Sequence, residues 1–244
     1  MALKYRNDEN LVFLKYCENE DLEILVNYLT KTKKGNQRIN AELTKEEMYI
    51  KHYPNHKKYW DLIAAELQTY GSNSVATVFR KGKGVYYKEI LIDVSKKLKV
   101  NFNKNSSVEI IERNLLMKIL LDAVEEMKTE ELKEVVKELD LKTMNIEKQA
   151  VIAALQVAIK AGGFKSYQLA LIVANAVAKQ ILGRGLAIGG NAALTRGIGV
   201  FAGPIGWVLV GLWTAIDIAG PAYRVTMPAV IQIAYMRSVF SEEY

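Results

Sequence analysis

GIGVFAGPIGWVLVGLWTAI, Gly197 to Ile216, runs for twenty residues without a charge between Arg196 and Asp217. A single helix of that length would extend about 30 Å, the thickness of a hydrocarbon core. The run is also rich in glycine and contains Pro204. Whether it meets lipid or a protein core decides how the chain is read. Its uncharged length favours contact with a membrane. The alternative is a soluble core or an oligomer interface.

Small residues four apart, Gly199 with Gly203 and Gly185 with Gly189, let helix backbones approach closely. Gly206 and Gly211 extend the same small-residue set. Pro204 suits the first turn of a new helix. A helix from Pro204 to Ile218 would be only about 22 Å long, short for a membrane span. The pieces from Leu186 to Ala219 can instead form a helical hairpin, buried in solution and released onto a membrane. Trp207 and Trp213 then read as interfacial anchors, or as core packing if the run stays inside protein. Asp217 and Arg224 form a candidate ion pair in either setting.

Outward from this run, the chain divides by chemistry. Residues 147–244 are poor in charge and rich in alanine, valine, isoleucine and glycine, so their helices are apolar nearly all round and need a cover. Gly163 and Gly183 mark helix ends there, and Pro228 lies in the last helix. Residues 1–146 are dense in Lys, Glu and Asp and read as a soluble helical domain, with 1–40 as a small opening module. Helices are expected over Asp8–Cys17 and Glu20–Leu29, with Asn19 as a cap. Thr44 opens a short helix that Pro54 closes. A further helix places Trp60, Ile63, Ala64 and Leu67 on one face and stops at Gly71. Another carries Tyr87, Ile90, Leu91, Val94 and Leu98. Ser106-Ser107-Val108-Glu109 reads as a capping box for a helix lined by Ile111, Leu116, Leu120, Ala123, Val124 and Met127. Thr129 caps the next. The pattern is all-α, without a hairpin signal.

Composition narrows function less than fold. At 244 residues the chain can bury a substantial core, and its net charge of +6 suits anionic lipid, nucleic acid or plain solubility equally. Cys17 is alone, which excludes an intramolecular disulfide and fits a reducing cytoplasm. The N-terminus has acids where an export signal needs an apolar core.

Motifs for chemistry are weak. His52 and His56 are spaced i, i+4, but Pro54 lies between them, so they read as loop histidines rather than metal ligands. Gly82-Lys83-Gly84 lacks the spacing of a phosphate loop, and Gly183-Arg184-Gly185 lacks that of a dinucleotide loop. Glu66, Glu89 and Asp93 read as a solvated face rather than an acid–base set. Basic residues are mixed with acids and show no groove-reading motif, so nucleic acid is not expected. No catalytic, cofactor-binding or metal-binding residue is assigned.

WDLIAAELQTYGSNSVATVFRKGKGVYYKEILIDVSKKLKV, Trp60 to Val100, resembles the core of the YaaW family of uncharacterised bacterial proteins. The pattern from Leu11 to Thr30 is similar to that family's opening module, and AYRVTMPAVIQIAYMR, Ala222 to Arg237, to its closing segment. The resemblance implies a bacterial source. Family members are sometimes labelled ubiquinol–cytochrome c chaperone-like, an analogy of fold that brings no catalytic residue with it. The expected protein is non-enzymatic and associates from the cytoplasm with the inner membrane, on anionic lipid, through Gly185 to Ile218. A stress or defence role fits such behaviour. The alternative is a soluble homo-oligomeric or chaperone-like protein whose apolar helices form its core or interface.

Overall fold

The computed structural model describes residues 3–74, 84–161, 163–186, 199–201, 203–211, 220 and 222–243. Among these the fold is all-α, and a bridge between Lys31 and Gln37 is isolated from any strand. A 3-10 turn, Val12–Tyr16, precedes α1 (Asn19–Thr30). Then follow α2 (Glu47–His52), α3 (Trp60–Ser74), α4 (Tyr87–Lys97), α5 (Val108–Glu126), α6 (Thr129–Glu138), α7 (Lys148–Ala161) and α8 (Gly163–Leu182). The helical residues 199–201 and 203–211 form α9, and Tyr223–Glu243 form α10.

The starts of the charged helices follow local chemistry. Glu131 accepts the backbone N–H of Lys128 at 2.7 Å and closes the first turn of α6, so Thr129 is the first helical residue rather than the cap. Ser107, not Ser106, takes the N-cap position of α5, and its side chain makes no capping hydrogen bond, so the box expected from Ser106 to Glu109 does not form. Asn19 does not cap α1. Its side-chain amide donates to the Pro54 carbonyl and its oxygen accepts the His56 N–H, tying α1 to the turn after α2. Gly183, with φ of +71°, takes the left-handed conformation just past α8.

Gly71 does not stop α3, which continues to Ser74. A Cβ there would lie 2.5 to 2.7 Å from Ile90 and Val85 side-chain carbons. The glycine therefore serves a close approach of α3 to α4. Likewise, Asp8 to Cys17 forms only the short 3-10 turn, because Asp8 is drawn inward to accept the Tyr87 N–H at 2.6 Å.

Among the described residues the buried apolar side chains form one continuous core. Its centre is α10, which touches α1, α3, α4, α5 and α8. That position explains why VIQIAYM is apolar on every side: Val230, Ile231, Ile233 and Met236 are all buried, and so is Gln232. α8 lies along α10 and buries Leu169 to Ala174. α7 buries the seam Val151, Leu155 and Ile159, packs Ile152, Ala154 and Ala158 against the core more shallowly, and leaves Val157 in solvent. No helix among the described residues is long and apolar enough to cross a membrane.

Candidate functional site

The sequence points to the uncharged run, and α9 is its described part. At 1.5 Å per residue, 199–211 spans about 20 Å. Phe201, Ile205 and Leu209, spaced i, i+4, i+8, are fully buried and anchor the helix. Pro204 is buried beside them and Gly206 is half-buried. The opposite face carries Gly199, Gly203, Trp207, Val210 and Gly211, all exposed, with Trp207 at 74% and Val210 at 48%. Both faces of α9 are thus apolar, one covered and one open. Trp207 is neither core nor buried anchor. Beside Gly199, Val200, Gly203 and Pro204 runs a groove whose other wall is Glu131, Glu134, Lys137 and Glu138 of α6.

The other candidates fall elsewhere. Gly185 packs where a Cβ would collide with the Asn175 amide oxygen, which itself accepts the Leu186 N–H at 2.9 Å. Its close contact is with an α8 side chain, whereas a Cβ at Gly199 or Gly203 would meet nothing within 4 Å. Gly189, Trp213 and Asp217 lie outside the described residues. Arg224, named with Asp217, is exposed at the start of α10.

The buried ion pair lies instead between Arg237 and Glu112. Arg237 Nε donates to Glu112 Oε2 at 2.8 Å, and Nη2 donates to the Asn10 carbonyl at 2.6 Å. Tyr87 Oη donates to Glu112 Oε1 at 2.6 Å. The guanidinium carbon sits 4.2 Å from the centre of the Phe13 ring. Four segments meet here: the N-terminal turn, α4, α5 and α10. Burial pushes the Glu112 carboxyl up, with Arg237 and Tyr87 opposing it. Burial would pull Arg237 down, but Glu112, Tyr87 and Glu109 together outweigh it and hold the cation charged. A signal for Glu112 stood in the sequence, because it follows Val108 and precedes Leu116 by four residues, squarely on the apolar face of α5.

Two further groups, His56, read as a loop histidine, and Glu66, read as part of a solvated face, are buried. His56 is fully buried, with Nδ1 2.6 Å from Tyr59 Oη and no hydrogen-bond partner for Nε2. Burial lowers its pKa, so it stays neutral. Glu66, only 1% exposed, accepts the Glu42 N–H at 3.0 Å through Oε1, while Oε2 has no hydrogen-bond partner. Burial raises its carboxyl to about 7. Among the described residues no cluster of His, Cys, Asp and Glu is placed to hold a metal.

The structure defines an all-α bundle with a tethered central helix and an open apolar face. Residues 55–231 match the family described as ubiquinol-cytochrome C chaperone, and residues 5–39 match a domain of unknown function, DUF3944. A UPF0174 protein of Helicobacter pylori strain J99 is 55% identical over 97% of this chain and 93% of its own length. Another, of Helicobacter pylori strain 26695, is 45% identical over 82% of the chain and 97% of its own length. The UPF0174 protein YaaW of Escherichia coli K12 is 35% identical over 99% of the chain and 98% of its own length. The chain belongs to the UPF0174 proteins and carries the ubiquinol-cytochrome C chaperone family domain. No solved structure gives a significant match.

Proposed function

We propose that the protein is a non-enzymatic, chaperone-like interaction protein that takes an apolar segment of another protein on the open face of α9. The observation that carries this reading is the division of α9: Phe201, Ile205 and Leu209 fix it to the core while Trp207 and Val210 stand in solvent. Covering an exposed indole contributes about 25 cal/mol per Å² of apolar surface removed from water. Tryptophan is also the residue type most enriched where binding energy concentrates. The chaperone description of the matching family supports the same reading.

Membrane-surface contact is the second reading. Trp207 favours it, since an exposed indole suits a lipid interface. A 20 Å helix would lie along the surface rather than cross it. The acidic wall of α6 works against anionic lipid and favours a protein partner.

The test is suppression of aggregation, followed by light scattering, with reduced insulin as the unfolding client. The wild type should suppress scattering near equimolar ratio, and Trp207→Glu with Val210→Glu should lose at least fivefold in potency with unchanged circular dichroism. No suppression by the wild type, or equal suppression by the folded double variant, sinks the proposal. Flotation of the wild type with phosphatidylglycerol vesicles, lost in the same variant and without client suppression, would establish the second reading instead.

A further inference from the structure

The cavity between α5, α8 and α10 lies away from the α9 face and does not enter the interaction reading. Its volume is about 250 Å³. That is just under the roughly 300 Å³ at which sites for drug-sized ligands begin, so any occupant is small. Leu116 and Leu120 of α5, Ile159 of α7, and Leu169 and Ala170 of α8 supply apolar wall. The Arg237–Glu112 pair contributes to its lining, and Glu109, Arg113 and Ser166 add further polar groups.

The charges around this cavity are not equally available. Both oxygens of Glu112 are taken, one by Arg237 and one by Tyr87. Glu109, exposed at the start of α5, is held below the usual carboxyl range against partial desolvation by its own backbone N–H and the Ser107 hydroxyl, with Arg237 and Lys88 nearby. The two Ser hydroxyls of α10, Ser238 and Ser241, already donate to the Tyr235 and Arg237 carbonyls. Arg113 is different: half-buried, it makes no hydrogen bond or ion pair with any described residue. The Ser166 hydroxyl lies across the cavity in the first turn of α8. Both acids are committed, whereas a guanidinium and a hydroxyl are left to donate beside an apolar wall.

We propose that this cavity binds a small amphiphilic anion, its carboxylate or phosphate head on Arg113 and Ser166 and its short aliphatic body against Leu116, Leu120 and Ile159. A guanidinium offers an oxyanion two parallel donors, which is the geometry such a head requires. The volume limits the body to fewer than about ten carbons.

Calorimetric titration of the full chain with octanoate, octan-1-ol and octylammonium tests this, with circular dichroism to verify folding. Octanoate should bind at least tenfold more tightly than either comparison compound. Arg113→Gln should weaken octanoate at least tenfold and leave octan-1-ol unchanged. Ala170→Leu, which fills the cavity without touching a charge, should weaken both. Flotation with phosphatidylglycerol vesicles separates the sources of the anion. Octanoate binding without flotation assigns a free ligand, and flotation abolished by Arg113→Gln assigns a lipid head group; both sustain the proposal. It is overturned if octanoate does not bind and flotation is absent or insensitive to Arg113→Gln. It is also overturned if octanoate binds no better than octylammonium, or if folded Arg113→Gln binds octanoate as the wild type does.

Discussion

Arg237→Met is the substitution that most directly tests how the bundle is held. Methionine keeps the length and apolar stem of the side chain but deletes the guanidinium. Glu112 then loses its bond to Nε, the Asn10 carbonyl loses Nη2, and the cation over the Phe13 ring disappears. Removing one partner from a buried ion pair costs about 3–5 kcal/mol, because the remaining charge stays out of water. A domain of this kind has a total stability of about 5–15 kcal/mol, so the loss is a large share. With a urea slope of about 2.5 kcal/mol per molar, the unfolding midpoint should drop by about 1.5 M, followed by circular dichroism. Adding Glu112→Leu should return part of that loss, since no charge is then buried alone, although Tyr87 loses its acceptor. The pH dependence has a definite sign. Burial already raises the Glu112 carboxyl, and removing Arg237 raises it further. A carboxyl raised in the folded state gives stability that is fully present below its unfolded value, about 4.3, and lost as pH rises through the folded value. The deficit of Arg237→Met should therefore narrow between pH 8 and pH 5. A midpoint shift below about 0.4 M, or a double variant as unstable as the two single losses combined, would refute the reasoning.

Glu66→Gln should raise stability at pH 8 by up to about 3 kcal/mol and flatten the fall between about pH 4.5 and 7, since the wild-type carboxyl is raised to about 7 and loses its contribution as pH rises through that value; an unchanged pH profile in urea titrations contradicts this. Gly71→Ala should destabilise by about 1–2 kcal/mol because its methyl meets Ile90 and Val85, whereas Gly203→Ala, facing open space on a helix, should stabilise by up to about 1 kcal/mol. Thermal melts of the pair should move in opposite directions. Cys17 is buried, and burial pushes its thiol up to about 12, so iodoacetamide at pH 8 should label it only as the protein unfolds. Labelling of the native protein at the rate of a free peptide cysteine would contradict the burial. In native-state hydrogen exchange, α9 amides should exchange well before those of α5 and α10; equal protection of α9 and α10 would show that α9 is firmer than its composition implies.

Periodicity carried most of the fold because an amphipathic helix advertises its buried side. Ile63, Ala64 and Leu67 on α3, and Ile90, Leu91 and Val94 on α4, are buried as their spacing predicts. The failures cluster where a residue answers to a distant partner. Gly71 has the form of a stop signal, but its neighbour is α4, beyond any local pattern. Asn19 has the chemistry of a cap, yet its bonds go to Pro54 and His56. Glu66 looked solvated because a carboxylate usually is; its burial depends on the Glu42 N–H, twenty-four residues away in sequence. The Arg237–Glu112 pair spans 125 residues, so spacing could mark Glu112 as facing inward but could not name its partner.

The uncharged run illustrates a different limit. Counting uncharged residues measures how far a segment could reach through lipid, but it does not say which side faces out. In α9 the inward set Phe201, Ile205 and Leu209 and the outward set Trp207 and Val210 are both apolar, so the contrast that periodicity reads is missing. Glycine supplies the information that hydropathy lacks. Gly199, Gly203, Gly206 and Gly211 each cost a helix about 1 kcal/mol relative to alanine. Such a helix forms because three side chains are buried beneath it, not because its backbone prefers to be helical. An element held only from below can yield without disturbing the α10 core, and a surface that yields can adapt to the segment it receives. The uncharged length that favours a membrane on sequence grounds is equally compatible with the adjustable protein-binding face proposed above, and the acidic row of α6 beside it supports that proposal.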